Sequence, residues 1–208
     1  MSEFKLWCFG ESGNAYKAAL MLNLCGLDWE PVLVDFFNGE TRSEAYRGTV
    51  NEMGEAPVLE HMGKRLTQSG VILDYLASFT GKFTGSSEDA RREIWRWVLF
   101  DNHKFTSYIA TLRFMITLAK TGETPVTEFL RGRVKGSMAV IEKHLAARKF
   151  LLGEWPTIAD ISLVGYLYYG EELPFEITPH VKAWSERIRA LPDWKHPYDL
   201  MPRKAKAV

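Results

Sequence analysis

Near its N-terminus the chain alternates between apolar runs and polar turns, and this pattern predicts a strand, a helix and a second strand. Residues 4–9 are apolar and aromatic with few breaks, as in a buried strand, and the polar turn 10–14 follows them. Apolar side chains then recur at helical spacing, and Gly26 stands where a helix would end. Residues 29–36 are the next apolar run. The order predicts a βαβ unit with parallel strands.

A β-hairpin is predicted downstream of this unit. Residues 58–61 and 64–66 flank the pair Met62-Gly63, which is typical of a hairpin turn. Pro57 precedes the first of these strands, and a proline cannot donate to a sheet, so it belongs at the first residue of a strand or in a special turn. A cis bond before it is a candidate, although only about one X–Pro bond in twenty is cis.

A helix follows the hairpin. Apolar side chains recur at helical spacing over residues 71–79, and Ser69 precedes them as a natural N-cap with the amide of Gln68 beside it. Residues 80–89 are dense in glycine, serine and threonine, which is typical of a domain boundary.

Only helices are predicted beyond this boundary. Residues 91–120 form one long helical pattern, and residues 124–125 open another as N-cap and first helical residue. Residues 157–160 are a capping box, in which we interpret Asp160 as a structural cap. A last amphipathic helix is predicted at residues 179–190. The order is therefore βαβ, ββα and then helices alone.

Composition narrows the function. Lysine plus arginine and aspartate plus glutamate each number 26, so the net charge is zero and no basic field exists to hold nucleic acid. The cations Arg203, Lys204 and Lys206 are expected to form a solvated tail. The chain has no apolar run of about eighteen residues and no signal-peptide core at its N-terminus, so we expect no membrane association and a cytoplasmic location.

The metal-ligating and nucleophilic residue types are sparse. The five histidines are scattered with no pair at metal-ligand spacing, so we predict no metal. Cys8 and Cys25 form no CxxC pair, and we interpret both as small buried hydrophobes. The turn at residues 10–14 is a better candidate site, because it places backbone N–H groups and the Ser12 hydroxyl at a helix N-terminus, an arrangement that attracts an anion.

Four motifs together resemble the cytosolic glutathione transferases, over essentially the whole chain. They are residues 12–14 after the first strand, 56–59, 68–69 and 157–160. The turn is most similar to that of the serine-type bacterial, theta-like branch. The resemblance implies an α/β plus all-α architecture. A thioredoxin-like glutathione-binding domain with a mixed four-stranded sheet would span residues 1–80, a linker 81–88, and an all-helical domain 89–208.

The resemblance also implies that the chain is a glutathione transferase, which activates the thiol of its co-substrate for attack on a small, hydrophobic electrophile. The Ser12 hydroxyl would hydrogen-bond the sulfur, and Asn14 is the alternative or assisting group. Lowering a thiol pKa by about two units needs roughly 2.7 kcal/mol. One charge-assisted hydrogen bond supplies about 1.5–3 kcal/mol and a helix terminus up to about 1 more, so Ser12 with the helix suffices.

The same resemblance assigns the rest of the glutathione site. Pro57 would be preceded by a cis bond and present the Ala56 backbone to the cysteinyl amide, as an added strand would. Gln68 and Ser69 would hold the γ-glutamyl carboxylate.

The residue that would bind the glycyl carboxylate of glutathione is not assigned by these motifs. Glu55 stands where the family often has a basic residue, and Arg42 and Lys17 are the alternatives.

Four aromatic residues are candidates for the electrophile pocket: Phe9, Phe105, Tyr108 and Phe114. The resemblance further implies a homodimer. Two other functions stay open, a glutathione-dependent disulfide reductase or peroxidase, and a non-catalytic binding module of the same fold. Retention of Ser12, Pro57 and the residue pair 68–69 argues against the binding module, because it would not need them.

Overall fold

The computed structural model describes residues 2–204 and divides into two compact units. The sheet unit comprises the residues up to Thr80 together with those from Pro192 onward, and the helical unit is Gly81–Leu191. Within residues 2–204, no helix is both long and apolar enough to cross a membrane.

The sheet unit is built on a mixed four-stranded sheet, as predicted. Its strands, in the spatial order β2-β1-β3-β4, are β1 (Phe4–Cys8), β2 (Trp29–Leu33), β3 (Val58–His61) and β4 (Lys64–Thr67). β1 and β2 are parallel, whereas β1 with β3 and β3 with β4 are antiparallel. Met62 and Gly63 both have positive φ, 50° and 73°, which matches a tight two-residue hairpin turn to the twist of its strands.

Three helices accompany this sheet: α1 (Gly13–Leu24), α2 (Glu44–Thr49) and α3 (Ser69–Thr80). α1 packs against α3 and is buried along most of its length. Its small residues Ala15, Ala18 and Ala19 have no exposed surface, and they let neighbouring backbone approach closely.

The helical unit contains α4 (Glu88–Phe100), α5 (Thr106–Arg113), α6 (Pro125–Leu145), α7 (Ile158–Leu163) and α8 (Pro179–Arg189). The long helix predicted at residues 91–120 is interrupted by two π-helical turns, Asp101–Phe105 and Phe114–Leu118. The buried Asp101 of the first turn accepts hydrogen bonds from Thr106 Oγ1 (2.6 Å) and Ser162 Oγ (2.5 Å). A buried carboxylate needs such partners, and the widened turn accompanies them.

The predicted capping box opens α7, which confirms Asp160 as a structural group. Asp160 is fully buried and accepts hydrogen bonds from the backbone N–H groups of Leu151 (2.9 Å) and Thr157 (2.8 Å) and from Trp184 Nε1 (2.9 Å). Burial raises the pKa of this carboxyl, while the hydrogen bonds oppose that rise.

A carboxylate from another helix caps α8. Thr178 occupies the N-cap position, but its side chain makes no capping hydrogen bond to the helix. Glu142 of α6 supplies the acceptor instead, at 3.0 Å from His180 N and 3.1 Å from Val181 N, and it also accepts from Thr178 Oγ1 at 2.5 Å. Desolvation would raise the pKa of Glu142, but these hydrogen bonds outweigh it and lower the pKa to about 2.

The C-terminal segment departs from the predicted domain 89–208, because its residues from Pro192 belong to the sheet unit. The short helix α9 (Pro197–Leu200) packs against α1. Arg203 and Lys204 are exposed, as expected of a solvated tail, but they also form ion pairs with Glu11 and Asp35. Lys206 lies outside the described residues.

Candidate functional site

The segments that carry the predicted glutathione-site residues adjoin the sheet at one edge, where β1 and β4 end and β3 begins. Trp7 of β1 pairs with Val58 of β3, and Val58 in turn pairs with Thr67 of β4. β1 runs out of the sheet toward residues 10–14, β3 enters from residues 56–57, and β4 leads into residues 68–69. Because β3 is antiparallel to both neighbours, all three segments meet at this edge.

Ser12 is the N-cap of α1. Its backbone is extended (φ −87°, ψ 107°), and its hydroxyl oxygen accepts a hydrogen bond from Ala15 N at 3.1 Å. A hydroxyl that accepts through a lone pair still has its proton to donate. Ser12 is only 6% exposed, so a group that reaches this hydroxyl is largely shielded from water. Hydrogen bonds to a charged group are stronger in such a shielded position than in water.

Asn14 and Ser69 connect the starts of the two long helices of the sheet unit. Ser69 Oγ lies 3.5 Å from Asn14 Oδ1, the outer limit of a hydrogen bond. Ser69 was predicted as an N-cap, but α3 begins at Ser69 itself, so Gln68 occupies the cap position. Two helix N-termini therefore lie side by side at this edge, and both favour negative charge.

Gln68 has a left-handed backbone, with φ 65°. This conformation costs a residue other than glycine about 1–3 kcal/mol, and such residues cluster at functional sites. Its Nε2 donates to Glu55 Oε2 at 2.8 Å, which connects the start of α3 to the segment before Pro57.

The Ala56–Pro57 peptide bond is cis, as the family resemblance implied. Two residues that the sequence analysis missed hold the segment before it. Asn51 Nδ2 and Tyr46 OH both donate to the Glu55 carbonyl, at 2.9 Å and 3.0 Å. Asn51 begins a turn in which its own side chain accepts from a backbone N–H two residues on, and an asparagine at a turn start is a signal that the sequence carries.

Both cysteines are buried in the sheet unit. Cys8 is fully buried in β1, and burial raises the pKa of its thiol to about 12, so it is protonated at neutral pH. Cys25 is also buried, 3.7 Å from Thr80 Oγ1. The prediction that both are small buried hydrophobes is confirmed.

The two cations considered for the glycyl carboxylate differ in exposure. Lys17 has no exposed surface, because it lies within the buried length of α1. Arg42 is exposed on the short turn Glu40–Arg42 after β2. Of the two, only Arg42 has its side chain at the surface of the sheet unit.

The four aromatic residues predicted to line a pocket also differ. Phe9 is buried and stacks on Phe36 with 4.8 Å between ring centroids. In the helical unit Phe105 has no exposed surface, whereas Tyr108 is half-buried and Phe114 is 42% exposed. Among residues 2–204, no group of three or more histidine, cysteine, aspartate or glutamate side chains is placed to hold a metal ion.

Comparison with known proteins gives consistent matches along the chain. Family models described as "Glutathione S-transferase, N-terminal domain" and "Glutathione S-transferase, C-terminal domain" match residues 2–78 and 104–192. Glutathione S-transferase F14 of Arabidopsis thaliana is 29% identical over 98% of this chain and 88% of its own length.

Two further relatives are bacterial. A maleylacetoacetate isomerase of Rhizobium meliloti is 31% identical over 80% of this chain and 81% of its own. The crystal structure of a glutathione S-transferase from Pseudomonas fluorescens superposes with a TM-score of 0.88 and 34% identity, covering 95% of this chain and all of that one.

Proposed function

Because the chain belongs to the glutathione S-transferase family, we propose that Ser12 activates the thiol of glutathione for attack on a small, hydrophobic electrophile. The chain is a transferase whose co-substrate is glutathione. The observation that carries the proposal is the Ser12 hydroxyl, shielded from water at the N-terminus of α1 and able to donate its proton. With a halo-nitroarene the C–S bond forms as the carbon–halogen bond breaks, so the products are a thioether and a halide ion, and the thiol proton leaves to solvent.

The energetics support a hydrogen-bond donor rather than a base. A free thiol has a pKa near 8.5, so about 3% of it is ionised at pH 7. Making thiolate the main form needs about 2.7 kcal/mol of selective stabilisation, which one charge-assisted hydrogen bond and a helix N-terminus supply. Ser12 therefore does not lose its proton, and the attacking atom is the glutathione sulfur.

The rest of the tripeptide is assigned to the same sheet edge. The Ala56 backbone, two residues before β3, pairs with the cysteinyl amide as an added strand does. Gln68 and Ser69 bind the γ-glutamyl carboxylate, which the N-terminus of α3 also attracts.

Asn14 assists through Ser69 rather than at the sulfur. Its carbonyl oxygen lies 3.5 Å from the Ser69 hydroxyl, which favours a part in orienting the γ-glutamyl end. Ser12 and Asn14 are thus a matched pair of polar residues on the same helix turn, and replacing each separates their roles.

Two measurements are decisive. The first is the thiol pKa of bound glutathione, monitored by the absorbance of the thiolate, and the second is kcat/KM for a halo-nitroarene. We expect Ser12→Ala to lower kcat/KM by about 10- to 1,000-fold, the value of about 1.5–4 kcal/mol of transition-state stabilisation, and to raise the thiol pKa. Asn14→Ala should raise KM for glutathione and leave the thiol pKa in place. An unchanged thiol pKa in Ser12→Ala would refute the role of Ser12.

A glutathione-dependent isomerase is the second candidate, supported by the 31% identity to a maleylacetoacetate isomerase. A thiolate that adds to a conjugated double bond and then leaves allows rotation about the bond between the two steps, so the same Ser12 site serves both reactions. Turnover of a cis-alkenyl diacid with no net loss of glutathione would favour the isomerase, and a stable thioether would favour conjugation.

The electrophile pocket and the homodimer complete the proposal. In the helical unit, exposure favours Tyr108 and Phe114 as the rings that touch the electrophile. Replacing Phe114 by alanine should raise KM for a hydrophobic electrophile and leave KM for glutathione unchanged. Light scattering tests the dimer directly.

A further inference from the structure

The segment from Pro192 to Lys204, which we name the C-terminal strap, lies along α1 from its end to its beginning. The carbonyl of Asp193 accepts from Asn23 in the last turn of α1, and the carbonyl of Lys195 accepts from Tyr16 OH at 2.8 Å. Past α9, the strap reaches the turn that precedes α1. It therefore contacts both the helix and the turn that carries Ser12.

The strap also contacts the turn before α1 at Gly10. The Gly10 N–H donates to the Pro202 carbonyl at 2.8 Å. A Cβ atom at Gly10 would lie 2.6 Å from Cγ of Arg203 and 3.2 Å from the ring of Tyr198, so a larger residue would displace the Arg203 side chain. The close approach of Arg203 and Tyr198 therefore favours glycine at position 10.

Arg203 is fixed between two partners at this point. Its guanidinium lies 3.7 Å from the centroid of the Tyr198 ring, and its Nε donates to Glu11 Oε1 at 2.9 Å. The Glu11 side chain is only 10% exposed, so its charge is poorly screened by water.

Glu11 immediately precedes Ser12, and a carboxylate there opposes a second negative charge at the same turn. A like charge raises the pKa of a neighbouring thiol, whereas an adjacent cation lowers it. We infer that Arg203 is a positioning residue of the Ser12 site, which offsets the charge of Glu11 and holds the turn through the strap. This inference rests on the proposed role of Ser12.

Other ionisable side chains belong to the elements that meet at this turn. They are Cys8 at the end of β1, Tyr16 and Lys17 in α1, Asp35 after β2, Tyr198 and Asp199 in α9, and Asp193, Lys195, His196 and Lys204 elsewhere in the strap. Lys204 is paired with Asp35 and lies one residue beyond Arg203, so Lys204→Ala is a matched control that removes the same charge from the same strap.

The experiment compares the thiol pKa of bound glutathione and the pH profile of kcat/KM in wild type, Arg203→Ala, Lys204→Ala and the double variant Glu11→Gln/Arg203→Ala. In Arg203→Ala we expect a higher thiol pKa and a loss of kcat/KM of about three- to tenfold at pH 6.5, the size of one partly screened charge. The loss should vanish near pH 9, where the thiol ionises unaided. Lys204→Ala should match wild type.

The double variant separates charge from packing, because it removes Glu11's charge along with the guanidinium. It should return the thiol pKa close to that of wild type. Arg203→Lys should lie between the wild type and Arg203→Ala. A double variant no better than Arg203→Ala would overturn the electrostatic role. Should Arg203→Ala fail to fold, Glu11→Gln alone still tests the inference, since it should lower the thiol pKa below that of wild type, and an unchanged value would contradict it.

The outcomes also separate this inference from the proposal beneath it. A wild type that leaves the thiol pKa of bound glutathione at its free value would refute the role of Ser12 and this inference together. The role of Arg203 alone would be refuted by a different result: the wild type lowers the thiol pKa, Ser12→Ala restores the free value, and Arg203→Ala leaves the lowered pKa unchanged.

Discussion

Glu142 of α6 holds the beginning of α8, and its replacement should unfold that helix first. Its carboxylate accepts two backbone N–H groups and the Thr178 hydroxyl, and His180 Nδ1 lies 2.6 Å from its other oxygen. The side chain of Thr178, the N-cap residue of α8, makes no capping hydrogen bond. Glu142→Ala would leave the first turn of α8 without these acceptors.

The magnitude follows from the lowered pKa. A fall from 4.5 to about 2 corresponds to about 3 kcal/mol at about 1.4 kcal/mol per unit. The Glu142 side chain is 23% exposed and partly screened, so we discount this to about 2 kcal/mol. An N-cap substitution costs about 0.5–2 kcal/mol, which agrees with the discounted value. Glu142→Gln keeps an acceptor oxygen and should lose about half as much.

The sign of the pH dependence is fixed by the direction of the shift. Because the folded pKa is lower than the unfolded one, the stabilisation is fully present above about pH 5 and is lost as pH falls toward 2. The difference between wild type and Glu142→Ala in free energy of unfolding should therefore be greatest at neutral pH and shrink toward pH 3.

Urea unfolding at pH 7 and pH 3 measures this difference. Tryptophan fluorescence monitors the unfolding, because Trp184 lies in α8. Glu186→Ala is the matched control. It removes an exposed carboxylate of α8 that pairs with Arg189 three residues on, and it should cost less than about 0.5 kcal/mol. A loss in Glu142→Ala that is equal at both pH values would refute the carboxylate cap.

Three further predictions concern buried or strained groups. Asp160→Ala should destabilise the chain by about 3 kcal/mol or more in urea unfolding, because it leaves buried donors such as Trp184 Nε1 without their acceptor. Cys8 should resist a thiol reagent at pH 8 in the native chain and react on unfolding, and rapid native labelling would contradict its burial and its pKa of about 12. Gln68→Gly should relieve the left-handed backbone yet raise KM for glutathione several-fold, whereas Gln68→Asn, which keeps an amide, should raise it less; equal KM values would argue against a binding role of this side chain.

The sequence predicts those parts of the fold that depend on residues close together in the chain. The capping box at residues 157–160 and the N-cap at Thr124 each lie within four residues, so a local pattern suffices to identify them. The sheet follows in the same way from short apolar runs separated by turns. Register then explains why Ser12, Pro57 and Gln68 meet at one edge.

The parts that the sequence does not predict depend on residues far apart. Glu142 caps a helix that begins 37 residues later, at Pro179. Lys17 looks like a solvated helix residue, yet it has no exposed surface, because α1 is enclosed on nearly every side. Periodicity describes one face of one helix and carries no information about which distant segment covers the other faces.

The charge balance of the candidate site is the clearest case of this limit. The sequence places Glu11 directly before Ser12 and Glu55 directly before Ala56, and both acids count against a site for an anion. The fold answers each one differently. Glu55 is exposed, so water screens it, and the Gln68 amide donates to it; Glu11 is nearly enclosed, so a full positive charge from Arg203 faces it. The exposed acid thus has a neutral amide as its partner, and the nearly enclosed acid has a charged guanidinium.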